Sequence, residues 1–204
     1  AGCRIGVATG RAFSFTYTDT LDALRAAGAE VVAFDPMSDA TLPEGLGGLI
    51  VGGGFPEVHV AELSRNRRML DDIARLVGAG LPTWAECGGL MLLCGSLDGH
   101  AMAGVIDADA EMSGRLTLGY REVVTRRQSP VGAAGTAFRG HEFHYSSVIP
   151  AGDALALHSR WGDYLEGWAS PSLLATYVHH HPGGDPSLIA AFASTCARHK
   201  RPAP

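Results

Sequence analysis

The sequence predicts an α/β fold: a mostly parallel central sheet flanked by helices in three layers, with antiparallel strands added in the second half. Three observations lead there. Short apolar runs alternate with helical periodicities between residues 4 and 94. Segments 116–125 and 140–148 switch to alternating polarity. Glycine is abundant, 27 of 204 residues, and falls at many of the joints. Strands that alternate with helices favour a parallel sheet covered on both faces, whereas consecutive strands of period two pair as hairpins.

Each element has its own signal. Residues 4–9 (RIGVAT) read as a short buried strand. A helix follows over 18–27, with Leu21, Leu24 and Ala27 at helical spacing, Thr18 or Asp19 as its cap and Gly28 as its left-handed stop. Residues 30–34 (EVVAF) form a second strand, and 35–47 turn through Pro36, Pro43 and Gly45. The third strand, 48–51, runs into Gly52, Gly53 and Gly54. Leu63, Leu70, Ile73 and Val77 give 61–79 the stripe of one long helix. Residues 80–82 turn the chain into a short strand, 83–85, and an apolar helical run follows over 90–94. A buried strand at 173–178 and a closing helix at 186–198 complete the pattern. No linker divides the chain, so residues 1–204 are expected to form a single domain.

Bulk properties remove several classes of function. The formal charge is −5, and Arg65, Arg67 and Arg68, the densest basic cluster, are followed by Asp71 and Asp72. That is a solvated helix face, not a nucleic-acid site. No apolar run reaches the roughly 18 residues of a membrane span, and no signal-peptide pattern precedes the first strand. The first residue is Ala, which suggests a processed chain or part of a longer one. Cys3, Cys87, Cys94 and Cys196 contain no C-x-x-C pair and read as reduced thiols of a cytoplasmic protein.

Cys87 differs from the other three. It follows a strand and precedes Gly88, Gly89 and a helix, the placement of a nucleophile on a sharp strand-to-helix turn. Helix N-terminal N–H groups there are expected to lower the thiol pKa. Cys3, Cys94 and Cys196 read as structural. A thiolate attacking a carbonyl creates an oxyanion that needs donors. The Gly88 N–H is one candidate, and the loop of Gly53 and Gly54, opening at the same sheet edge, supplies another. His179 ends the buried run 173–178 and is placed to act as base.

Four blocks, in order along the chain, now identify a resemblance. They are Gly52-Gly53-Gly54-Phe55-Pro56-Glu57, Ala85-Glu86-Cys87-Gly88-Gly89-Leu90-Met91, Gly140-His141-Glu142-Phe143-His144-Tyr145-Ser146 and Thr176-Tyr177-Val178-His179. Together with residues 5–30 they resemble the glutaminase domain of the cobyrinate a,c-diamide synthases, in the cobalamin branch of the class I (triad-type) glutamine amidotransferases. The resemblance implies a flavodoxin-like, class I amidotransferase fold. It also implies that Cys87 forms a glutamyl thioester with glutamine, with His179 as base, and releases ammonia. Glu142 and His144 would then support the pocket or the face meeting a synthetase domain. That domain would bind ATP and Mg and activate the a and c carboxylates of a corrin precursor. No G-x-x-x-x-G-K-[ST] motif occurs in this chain, so no cofactor is expected here and the ATP-binding part is expected in another segment or subunit.

The chain departs from the wider class I pattern at one residue, as the cobalamin branch tends to. Many class I enzymes carry Glu two residues after the base, and His181 stands there instead. Glu86 and His181 remain open as groups that tune the site, and Asp153, Asp163 and Glu166 are the acids available for the third role. Cobyric acid synthase and the glutaminase that serves amidation of a cell-wall lipid precursor share the same chemistry. A metal-dependent hydrolase is the reading from another class, since His141 and His144 are spaced H-x-x-H. On a strand, however, i and i+3 point to opposite faces, which disfavours shared ligation.

Overall fold

In the computed structural model, which describes residues 2–183 and 185–199, the first strands build one sheet. β1 (Arg4–Ala8), β2 (Glu30–Phe34), β3 (Gly48–Val51), β4 (Thr83–Glu86) and β12 (Leu173–Thr176) are parallel, and β11 (Trp168–Ser170) is antiparallel at one edge. The order is β11-β12-β4-β3-β1-β2. The helices are α1 (Thr18–Ala26), α2 (Val60–Arg65), α3 (Arg67–Gly78), α4 (Gly88–Leu93) and α5 (Ser187–Arg198).

Successive strand residues face opposite sides, and this alternation divides the core. Ala8, Leu49, Val51, Ala85 and Ala175 pack with Leu63, Ile73 and Leu90 from α2, α3 and α4. Ile5, Val7, Ile50, Trp84 and Leu174 pack with Leu24 and Phe192 from α1 and α5. The result is the three layers that the alternating pattern implies. No helix among the described residues is long and apolar enough to cross a membrane.

The second half forms another sheet. β5 (Ser96–Leu97) and β6 (His100–Ala101) lead to β7 (Asp109–Thr125) and β8 (Ala137–Ile149), then β9 (Leu155–Ser159) and β10 (Gly162–Glu166). β8 pairs with β7 and with β13 (His179–His180). β7 and β8 extend beyond the alternating segments 116–125 and 140–148. Pairing persists past a register shift between Met112 and Thr117 into a stretch with little apolar alternation.

Three expectations are corrected by tertiary hydrogen bonds or local geometry. The single helix over 61–79 is two helices, broken at Asn66. Its side-chain amide donates to the carbonyls of Pro36 and Asp39, both at 2.8 Å, and so ties the break to the neighbouring turn. The strand over 173–178 stops at Thr176. There the Tyr177 N–H donates to Glu166 (3.2 Å) and the Val178 N–H to the Thr176 hydroxyl (3.0 Å), in place of sheet partners. Thr18 is the first residue of α1 rather than its cap; Tyr17 holds the cap position without a side-chain bond, and Asp19 lies in the first turn.

Candidate active site

The carboxyl ends of β3, β4 and β12 gather the residues singled out in the sequence. Cys87 leaves β4 with φ 49° and ψ −100°, one of two described non-glycine residues at positive φ. An L-residue pays roughly 1–3 kcal/mol for such a conformation. The turn holds it: the Cys87 N–H donates to the Thr176 carbonyl (2.8 Å), and α4 begins at the next residue. Gly89 is required there, because a methyl group at that position would lie 2.0 Å from the Val51 carbonyl oxygen.

The glycine loop joins the other parts. A Cβ on Gly53 would sit 2.4 Å from Cε1 of His179, so the loop backbone packs directly on the imidazole. A Cβ on Gly88 would sit 3.1 Å from the Gly54 nitrogen. Gly53, Gly54, Gly88 and His179 therefore share one corner of the sheet edge. Residues 12–15 cover it: the Phe15 N–H donates to the Gly53 carbonyl (3.0 Å), the Phe55 N–H to the Ala12 carbonyl (3.0 Å), and the Phe15 and Phe55 rings meet edge to face at 5.3 Å. This covering loop carries no periodic signal in the sequence.

The electrostatics correct one expectation. The Gly88 N–H does favour the thiolate, but desolvation is the larger effect, and burial pushes the Cys87 thiol up to about 12. His179 is also buried, and desolvation, with His141 and His144 nearby, lowers it to about 4. Thiol and imidazole are thus both neutral at physiological pH. Such a pair reacts by transferring a proton to the base during attack, not from a standing thiolate.

The proposed supporting residues separate. His181 is exposed and turned away, with its ring 4.5 Å from that of Tyr17 and its Nε2 3.9 Å from Asp19. Asp153 pairs with Arg127 (2.6 Å) on the surface, and Asp163 with His158 (3.1 Å). Glu166 is buried but engaged by Thr176 and Tyr177. None of these four faces His179. Glu86 does: its Oε2 lies 4.0 Å from His179 Nδ1, while its Oε1 accepts the His180 N–H at 3.1 Å.

Glu142 and His144 are buried in a polar network that touches the site through the backbone. Glu142 accepts from Arg121 Nε (2.5 Å) and from the Tyr164 hydroxyl, and its other oxygen lies 3.4 Å from His144 Nε2. His144 stacks on Tyr177 at 3.8 Å, and Tyr177 donates to Ser146 (2.9 Å). Between Glu142 and His144, the Phe143 carbonyl lies 4.0 Å from Cys87 Sγ. His141 stacks on His179, with ring centroids 5.1 Å apart. Among the described residues no group of three or more His, Cys, Asp or Glu side chains is placed to hold a metal. Arg121, Tyr164 and Tyr177 are not legible as site residues in the sequence, because only the sheet in which β7 pairs with β8 and β9, and β9 with β10, brings them together.

Burial of the acids makes stability depend on pH. Desolvation raises Glu166 from 4.5 to about 8, despite bonds from Thr176 and the Tyr177 N–H. Between those values the unfolded state ionises this group while the folded state keeps its proton, so stability falls as pH rises through that window. Glu166→Gln is expected to flatten the decline in melting temperature between about pH 5 and pH 8; an unchanged slope would contradict this.

Comparison with known proteins agrees with the fold. Residues 4–186 match the CobB/CobQ-like glutamine amidotransferase domain. The chain is 47% identical over 195 residues to a hydrogenobyrinate a,c-diamide synthase of Streptomyces coelicolor, covering 95% of this chain and 40% of the relative. It is 44% identical over 201 residues to a cobyrinate a,c-diamide synthase of a Synechococcus species, covering 94% and 44%. The chain thus spans less than half the length of these curated relatives. Among solved structures, PurLQS from Thermotoga maritima superposes with a TM-score of 0.64 at 14% identity, covering 95% of this chain and 99% of the other. A glutamine amidotransferase gives 0.59 at 19% identity, covering 94% and 98%. At such identities the structures speak for the fold alone, which is that of the class I glutamine amidotransferases.

Proposed function

Because this chain belongs to the CobB/CobQ-like glutamine amidotransferase domain family, we propose that it is the glutaminase that supplies ammonia for amidation of the a and c carboxylates of cobyrinate or hydrogenobyrinate. Glutamine is its own substrate. The corrin precursor is the acceptor, and ATP and Mg act on a synthetase portion carried by another segment or subunit. The work is assigned to the cytoplasm, where its four free thiols stay reduced.

The observation that carries the reading is Cys87 held at positive φ beside a glycine loop that packs on His179 and reaches Gly88. Cys87 Sγ attacks the side-chain amide carbon of glutamine while His179 takes the thiol proton. The carbonyl oxygen becomes an oxyanion beside the Gly88 and Gly54 N–H groups. Gly54 donates to no backbone carbonyl among the described loop hydrogen bonds. His179 then protonates the leaving amine, ammonia departs, and water hydrolyses the glutamyl thioester with the same base.

A diazo-ketone analogue of glutamine tests this directly. Mass spectrometry is expected to find one adduct, on Cys87, and protection by glutamine. An adduct on Cys3, Cys94 or Cys196 in its place would end the proposal. The glycine loop gives a second test. Gly53→Ala drives a methyl group into the imidazole, and is expected to lower kcat for glutamate release by about 100-fold, the scale of a misplaced catalytic group. Wild-type kcat in Gly53→Ala would show that the loop does not set His179.

A further inference from the structure

We propose that Glu86 is the positioning acid for His179, taking the place of the H-x-E carboxylate that this chain lacks at His181. The inference rests on the glutaminase reading above and adds to it the residue that orients the base.

The geometry begins with the strand ends. Glu86 is the last residue of β4 and pairs with Thr176, the last of β12. After Thr176 the chain leaves this sheet and joins the second one as β13, whose His180 N–H reaches Glu86 at the end of β4. One Glu86 oxygen accepts the His180 N–H, and this bond points the other oxygen at Nδ1 of His179, 4.0 Å away. That separation exceeds the longest ordinary N–H···O hydrogen bond by about 0.8 Å. Catalytic bonds of this kind are often long before substrate binds and tighten once it does.

The other acids named above are committed elsewhere. From β8, Glu142 is held by Arg121, Tyr164 and His144. Glu166 is held by Thr176 and Tyr177, Asp19 faces His181, and Asp153 and Asp163 lie on the surface. The groups around His179 are therefore Glu86 from β4 and His141, Glu142 and His144 from β8. Tyr17 and Cys87 are the other ionisable groups near Glu86.

An ionised Glu86 accepts the Nδ1–H of His179. The tautomer so fixed leaves Nε2 free to take the thiol proton from Cys87, and the carboxylate then stabilises the imidazolium that results. Glu86 keeps its charge throughout. Burial raises its pKa to about 8, although the His180 N–H bond opposes the shift. The active, ionised form therefore grows with pH through that value. Neither His179, near 4, nor Cys87, near 12, titrates in the same window.

The pH profile of glutamate release by the whole chain tests this. Wild-type kcat is expected to rise along a limb near pH 8, about tenfold per pH unit below it. Glu86→Gln should lose that limb and lower kcat by about 100-fold while KM for glutamine moves less than about threefold. Glu86→Asp should recover the limb. Retention of both the limb and wild-type kcat in Glu86→Gln would overturn the proposal. A measurement without substitution guards against a misfolded variant. In ¹⁵N-histidine spectra of the wild type above about pH 9, His179 should carry its proton on Nδ1, and a proton on Nε2 overturns the assignment. Absence of a Cys87 adduct would instead sink the glutaminase reading, so the two failures are distinguishable.

Discussion

Cys87→Ser is expected to reduce kcat for glutamate release by about 10⁶-fold with little change in KM, the scale seen when a catalytic nucleophile is removed. Burial raises the thiol and lowers the His179 imidazole, so under the proposed mechanism nucleophilicity is generated during attack by transfer of the thiol proton to His179. A serine hydroxyl is harder still to deprotonate, and the same neutral imidazole cannot compensate. The backbone provides a second readout. At φ 49° a side chain is strained, and glycine is not. Cys87→Gly should therefore be as inactive as Cys87→Ala yet more stable than it by about 1 kcal/mol in urea unfolding. Equal stability of the two variants would mean that the turn stores no strain, and glutamate release by Cys87→Ser at the wild-type rate would exclude the thiol.

Arg121→Leu is expected to destabilise the fold by about 3–5 kcal/mol, the usual result of stripping one partner from a buried ion pair. Arg121 and Glu142 side chains are only 5% and 3% exposed. Desolvation alone would raise Glu142. Bonds from His144 and Tyr164 and the Arg121 charge more than offset it, and the carboxyl is held below its usual 4.5. Because the folded pKa lies below the unfolded one, this stabilisation is complete above about pH 4.5 and disappears as pH falls through the folded value. In Arg121→Leu that acid-side loss should shrink along with the total stability. Paired replacement by Arg121→Met and Glu142→Leu should cost less than the two single changes added together, since the cycle removes both buried charges. A loss below about 0.5 kcal/mol in Arg121→Leu would place the pair outside the stability of β7 and β8. Because Phe143 lies between Glu142 and His144 and its carbonyl faces Cys87, the single variant should also lose activity.

Much of this was written locally. The strands through Glu86, the helix after Cys87 and the placing of His179 after a buried run follow from short-range patterns of apolar residues and glycine. Proximity of Cys87, the glycine loop and His179 to one edge follows from the rule that parallel strands present their carboxyl ends together. What failed depended on partners distant in the chain. The helix break at Asn66 comes from carbonyls of the 35–47 turn. The end of β12 at Thr176 comes from Glu166. The thiol expected to be acidic on helix-dipole grounds is raised by burial, and no local motif encodes burial.

The sequence by itself determined the layered α/β frame, the elbow at Cys87 and the histidine offered to it, because strand period, helix period and glycine placement act over a few residues. Only the tertiary structure decided which acid faces that histidine. His181 lies two residues from His179 and turns outward to α1, whereas Glu86, far earlier in the chain, reaches its ring. Side-chain contacts are set by which strand ends meet and how the chain leaves them, and a carboxylate's role follows from that meeting rather than from its distance along the chain.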